Sequence, residues 1–159
     1  MVVLTAAAPR VDLAARGAAR LVRDDAWLVQ HLETLWARHF ADVRRANPID
    51  VAFGRPWKTR LGLITLGEET RASYIRVNAL LRLAGAPEFI GTLTLAHELV
   101  HYAHGFGSTL RRRYRHPHQG GIVDRELVAR GFGNLIEPYR AWLDGCWFVF
   151  YDEHVRLFA

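Results

Sequence analysis

The sequence predicts an α+β fold, in which a small antiparallel or mixed three-stranded sheet packs against one long helix. Helices precede this unit and a helical segment follows it. Three observations support that prediction. Apolar residues recur every three or four positions over residues 11–46 and again over 87–103, the spacing of a helix with a buried face. Between these stretches, over residues 49–78, the period falls to two, as in half-buried strands. Half of the 159 residues are hydrophobic and no low-complexity tract interrupts them, which suits one domain over residues 1–159 with its own core.

The elements follow in order. "VDLAARGAARLVRDD" sets Leu13, Ala14, Gly17, Ala18, Leu21 and Val22 at helical spacing. Asp24 or Asp25 then caps a second helix in which Trp27, Leu28, Leu32, Leu35, Trp36 and Phe40 recur, and Asn47-Pro48 ends it. The two make a helical extension over about 10–46, with His31 and His39 near its polar side in surface roles. Residues 49–54, 60–67 and 72–78 read as strands, with Gly54 and Pro56 turning between the first two. In the third, Ser73, Ile75 and Val77 face one way and Tyr74, Arg76 and Asn78 the other. A helix begins at Pro87-Glu88, Pro suiting the first position, and runs to about Ala103 with Gly105 as its stop. A long loop over 105–121 carries four glycines, and a loop of that length is functional or disordered. A helix over about 122–132 follows, then a tail whose Trp142, Trp147, Phe148 and Phe150 serve as core or cover.

Composition narrows the chemistry. The single cysteine, Cys146, cannot form an internal disulfide or a cysteine ribbon, so a metal site here is built from histidine and carboxylate. Cys146 itself, beside Gly145 and Trp147, reads as a small buried apolar residue. No apolar run reaches the ~20 residues of a membrane span, and the first residues lack a basic leader. The expectation is therefore a cytoplasmic protein without a membrane partner. The net charge is +5, and it concentrates in "LRRRYRHPH" at 110–118. That stretch is either a solvated loop or a weak DNA or RNA contact through Arg111, Arg112, Arg113 and Arg115.

"LTLAHELVHYAHG" sets three histidines and a glutamate into a buried helix. Burying a neutral polar group unpaired costs roughly 2–7 kcal/mol, so a compensating partner is required. His97-Glu98-Leu99-Val100-His101 is an HExxH pattern. Residues four apart on a helix are neighbours, so both imidazoles converge on one ion, while Glu98 projects sideways towards its water. At this chain's frequencies, eight histidines and eight glutamates in 159 residues, chance supplies the pattern in roughly one such sequence in fifty. The extended HExxHxxGxxH pattern fails, since it needs Gly at 104 and His at 107 where this chain has His104 and Gly107. Candidates for a third ligand are His118, Glu126, His104 and His116. His118 is favoured because Gly120-Gly121 lets the chain turn sharply after it.

The succession "YIRVNALLRLAGAPEFIGTLTLAHELVHYAHG", a loop, then "HQGGIVDRELVARGFG" resembles the SprT-like domain of zinc metallopeptidases. The likeness covers about 49–134: a strand ending in an Asn-containing segment, a helix with HExxH, and a third histidine leading into another helix. That third motif reads His118-Gln119-Gly120-Gly121-Ile122, with its glycine displaced by one and isoleucine in the aromatic position. The resemblance implies a zincin-like fold, with His97, His101 and His118 as zinc (Zn2+) ligands. Glu98 is then the general base, activating the metal's water for attack on a peptide carbonyl. It also implies that a protein or peptide substrate pairs with an edge strand, for which the strand at 72–78 is the candidate. Tyr102, His104, Tyr114 and His116 are candidate donors to the oxyanion. Asp124 and Glu126 suit a helix's first turn, where Asp124 is also placed to orient a ligating imidazole.

Two functions of different kind follow. One is a zinc-dependent metallopeptidase, a hydrolase. The other is a zinc-stabilised nucleic-acid- or protein-binding module that uses the loop 110–118 without hydrolysis. Glu98 favours the enzyme, since a purely structural site has no use for it. Hydrolysis of a non-peptide bond would use the same residues.

Overall fold

The period-two stretch becomes three strands, β1 (Ile49–Phe53), β2 (Gly62–Leu66) and β3 (Ser73–Val77), in a computed structural model that describes residues 13–159. Their spatial order is β1-β3-β2, with β3 parallel to β1 and antiparallel to β2. The sheet is therefore mixed. Val51 and Ile64 lie opposite Ile75 on either side, and Ser73, Ile75 and Val77 are fully buried as the alternation requires. One expectation fails here. β3 is the central strand and offers no edge to a substrate; among the described residues the free edges belong to β1 and β2.

Asn78, fully buried at the end of β3, explains how the next segments are held. Its Oδ1 accepts from the Leu80 amide and so starts a short 3₁₀ turn over Ala79–Arg82. Its Nδ2 donates to the carbonyls of Trp57 (2.7 Å) and Arg60 (2.8 Å), fixing the loop that feeds β2.

The N-terminal extension is less helical than its periodicity predicts. Helix α1 spans only Leu13–Ala18, and residues 10–12 of the expected extension lie outside the described residues. Leu21 forms a bridge with Leu83, and the Val22 and Arg23 amides donate to Arg82 O, so pairing across the fold replaces another helical turn. Helix α2 (Asp25–His39) is capped by Asp24, whose Oδ1 accepts from the Trp27 amide at 2.8 Å. The Asp25 carboxylate instead accepts from Phe53 N and ties the helix to β1. The helix ends well before Asn47-Pro48, because the buried Phe40 turns the chain and Val43 N donates to Phe40 O. His31 and His39 are half-buried rather than on the surface. His31 bonds Thr92 and His39 bonds the Arg130 carbonyl, so both bridge elements.

Helix α3 (Glu88–Ala103) runs through the core, with Ile90, Leu95, Ala96, Leu99 and Val100 wholly buried and Pro87 at its N-cap. The 105–121 loop is ordered. Phe106 N donates to His101 O, Ser108 Oγ to Tyr102 O and Arg113 N to His104 O, stitching it to the end of α3. Ser73 Oγ adds a 2.6 Å bond to Gly107 O. Helix α4 (Ile122–Ala129) stops three residues earlier than the periodicity suggests, where Gly131 takes φ +94°.

The expected tail is one helical stretch. Helix α5 (Gly133–Trp142) passes through a π turn over Leu143–Trp147 into α6 (Phe148–His154) with helical backbone angles at both junctions. Trp147 and Phe150 are core, whereas Phe148 is 52% exposed. Cys146 is exposed, against expectation. The buried positions of this stretch, 147, 150 and 154, recur every three or four residues, and 146 falls on the outer face. Among the described residues no helix is long and apolar enough to cross a membrane.

Candidate metal centre

His97 and His101 stand one turn apart on α3, their ring centroids 4.6 Å apart and the planes nearly perpendicular. His118 reaches them from the loop. It immediately precedes a short 3₁₀ turn in which Gly120 (φ +55°) and Gly121 (φ +69°) adopt left-handed conformations, and these reverse the chain into α4. The Nε2 of His118 lies 3.2 Å from that of His97 and 3.1 Å from that of His101. All three ligand atoms fall within 4.8 Å of one another, close enough to hold one metal ion.

Hydrogen bonding alone satisfies this arrangement poorly. A neutral ring nitrogen carries either one proton or one lone pair, so His118 Nε2 cannot serve both neighbours except by sharing a single lone pair. The separations fit a cation better. Two nitrogens bound tetrahedrally at 2.0–2.1 Å stand about 3.3 Å apart, close to what is seen. Burial and the neighbouring imidazoles hold His97 down to about 4 and His101 to about 3, leaving both neutral with lone pairs free near pH 7. The donor set, three imidazoles and no thiolate, suits zinc among other borderline metals. Among the described residues the buried His101 Nδ1 has no partner, so none of them gives this ring the hydrogen bond that usually orients a ligand.

Glu98, on the same helix, is only 6% exposed. Desolvation pushes its carboxyl up to about 8, partly countered by the Arg60 guanidinium. Its side chain lies against β2 at Gly62. A Cβ there would stand 2.7 Å from Glu98 Oε1 and 2.8 Å from Thr94 Cγ2, so only glycine lets the strand approach the helix this closely.

The other candidates are occupied elsewhere. His104, 1% exposed, places Nε2 3.8 Å from Glu126 and packs against the Tyr114 ring. Glu126 itself pairs with Arg130, which also holds Asp42, so Glu126 belongs to a separate polar cluster. Tyr102 is wholly buried, donating to Asn47 Oδ1 and accepting from Ala46 N, and has a structural role. His116 is exposed, its amide bonded to Gln119. Asp124 is ion-paired with Arg140; its charge favours the protonated form of His97, but no hydrogen bond joins it to an imidazole.

The sequence reading missed Tyr139. Helix α5 brings it onto the same cavity wall as His97 and Glu98, with its hydroxyl 3.1 Å from Thr94 Oγ1. Burial raises its pKa further, so the hydroxyl keeps its proton. No local signal marks this residue, since only the packing of α5 on α3 places it.

Two cavities flank the histidines and share Thr59, Gly62, His97 and Glu98. They form a cleft along β2 with Glu98 and His97 at its middle. Arg111, Arg112, Arg113 and Arg115 are exposed, and Arg112 lies 4.8 Å over the Phe106 ring that lines one end. Comparison with protein-family models, curated proteins and solved structures finds no match for this chain.

Proposed function

We propose that this protein is a zinc-dependent peptidase of SprT-like, zincin-like type, in which His97, His101 and His118 hold the ion and Glu98 is the general base. The observation that carries this reading is the convergence of three Nε2 atoms beside a buried carboxyl that takes no part in it. A structural zinc site takes four protein ligands, and among the described residues only three ligating groups gather here. Bound zinc supplies a Lewis acid and lowers the pKa of the water it activates to about 7.

The chain's own residues do the rest. Glu98 takes the proton of the attacking water and delivers it to the leaving amine. Glu98 would be ionised beside a bound divalent cation, whose charge would oppose the desolvation that raises its pKa. Tyr139 donates to the carbonyl oxygen as negative charge grows on it, with Thr94 holding the hydroxyl in place. The peptide backbone pairs with the free edge of β2, which borders the cleft.

Metal analysis beside a cleavage assay on an unfolded protein tests this. Wild type should carry one zinc per chain and His118→Ala much less, while Glu98→Gln should keep zinc and lose about 10²–10⁴-fold in rate. A metal-free wild type, or a Glu98→Gln variant that still cleaves, would overturn the reading.

The four exposed arginines favour a second reading, a zinc-stabilised module that docks nucleic acid through residues 110–118. It requires that affinity for single-stranded DNA fall with salt, and that each arginine removed flatten the log–log slope by roughly 0.7.

A further inference from the structure

The cleft along β2 differs on its two sides of Glu98. Towards His118 it is bordered by Arg60, Phe106 and Pro117. On the other side its walls are Leu61, Tyr139, Leu143, Trp147 and Phe148, with Asp144 the one charged group besides Glu98. We propose that this second half is a side-chain pocket, admitting a large apolar residue next to the scissile bond and rejecting acidic ones. The proposal rests on the peptidase reading and names the substrate class that reading leaves open.

Position supports it first, because His97 and Glu98 line the same cavity. A side chain seated there lies beside the reacting groups. Construction supports it next. Trp147 Nε1 donates to Lys58 O at 2.7 Å, fastening the C-terminal helical stretch to the loop before β2. The Tyr139–Thr94 bond fastens the same stretch to α3. The pocket is therefore braced on two sides.

The π turn supplies the third support. At 100° per residue, Phe148 in an α-helix would lie about 140° round the axis from Leu143. The i→i+5 spacing of the turn over Leu143–Trp147 brings the two onto one side, and both line the cavity. Such turns recur at functional sites. Their effect here is to aim an exposed Phe148 at the cleft. The cavity, about 380 Å³, has ample room for a large apolar side chain beside Glu98. Asp144 is exposed, forms no ion pair among the described residues, and sets a negative charge against an incoming carboxylate.

The test is the cleavage profile of the zinc-loaded protein on a randomised peptide pool, read by mass spectrometry. Wild type should favour Leu, Met or Phe, and avoid Asp and Glu, at one position adjoining the cut. Leu143→Trp fills the pocket and should move that preference to Gly or Ala by about 10-fold or more, with other positions and zinc content unchanged. Leu143→Ala should move it towards larger side chains, and Asp144→Asn should restore acidic residues. A flat wild-type profile, or one that neither Leu143 variant alters, overturns the pocket.

If wild type cleaves nothing, the peptidase reading falls, and a binding measurement then decides the pocket alone. Calorimetric titration should show saturable binding of N-acetyl-leucine amide but not of N-acetyl-glutamate amide, and no binding of either to Leu143→Trp. No response to the leucine compound overturns the proposal.

Discussion

Glu98 makes the stability of the fold depend on pH, because its carboxyl is buried. In the metal-free chain its pKa rises to about 8 from the ordinary 4.5, so the folded state holds its proton where the unfolded state has released it. Its contribution to stability is full below pH 4.5 and is lost as pH rises towards 8. His97 and His101 act in the other direction. Both are held well below 6.5, so their contribution is present above 6.5 and is lost as pH falls towards 4. Urea melts of chelator-treated protein should therefore show Glu98→Gln more stable than wild type at pH 8, with the gap closing at pH 5. An equal gap at both values would mean that the carboxyl is not desolvated. Tyr139 makes a second prediction at this scale. Tyr139→Phe should lower kcat by about 10²–10³-fold with little change in KM or zinc content. A change in KM alone would make Tyr139 a substrate contact and not an oxyanion donor.

Elements place these residues, and glycines let the elements meet. Gly62 allows β2 to lie against α3 at Glu98. Gly120 and Gly121 turn the loop so that His118 faces the histidines of α3. A side chain at a left-handed position costs roughly 1–2 kcal/mol, and in Gly121→Ala that strain acts directly on the His118 approach. Competition with a chelator should show zinc affinity reduced about 5- to 30-fold in this variant, with α3 intact by circular dichroism. Unchanged affinity would show that the loop positions His118 without the glycine turn. The strand pattern was legible as three strands, yet which strand is central was not. Alternation states which face is buried and says nothing about neighbours, so the 72–78 segment looked as available as any other until its pairing on both sides was seen.

At the scale of the molecule, the apolar core is extensive. Leu28, Ile75, Leu95 and Leu99 are wholly buried within it. Chelation should therefore lower Tm while leaving the far-ultraviolet circular dichroism intact; complete unfolding on chelation would favour the zinc-stabilised binding module. What the sequence determined by itself was local. The HExxH spacing put His97 and His101 on one face with Glu98 to the side, because a helix fixes which residues are neighbours, and the glycine pair marked His118 as the favoured third candidate. The α+β class followed from two periods that backbone geometry alone produces. Tertiary structure decided what depends on distant segments meeting. It ended α1 early by pairing Leu21 with Leu83, sent Glu126 and His104 to Arg130's side, turned Cys146 outward, and made β2 the edge. It also brought Tyr139, 41 residues from Glu98 along the chain, onto the same cavity wall. The physical reason is the range of the forces involved. Hydrogen-bond geometry and side-chain spacing act over a few residues and are written in the local pattern, whereas burial is satisfied by whichever surfaces the whole chain can bring together.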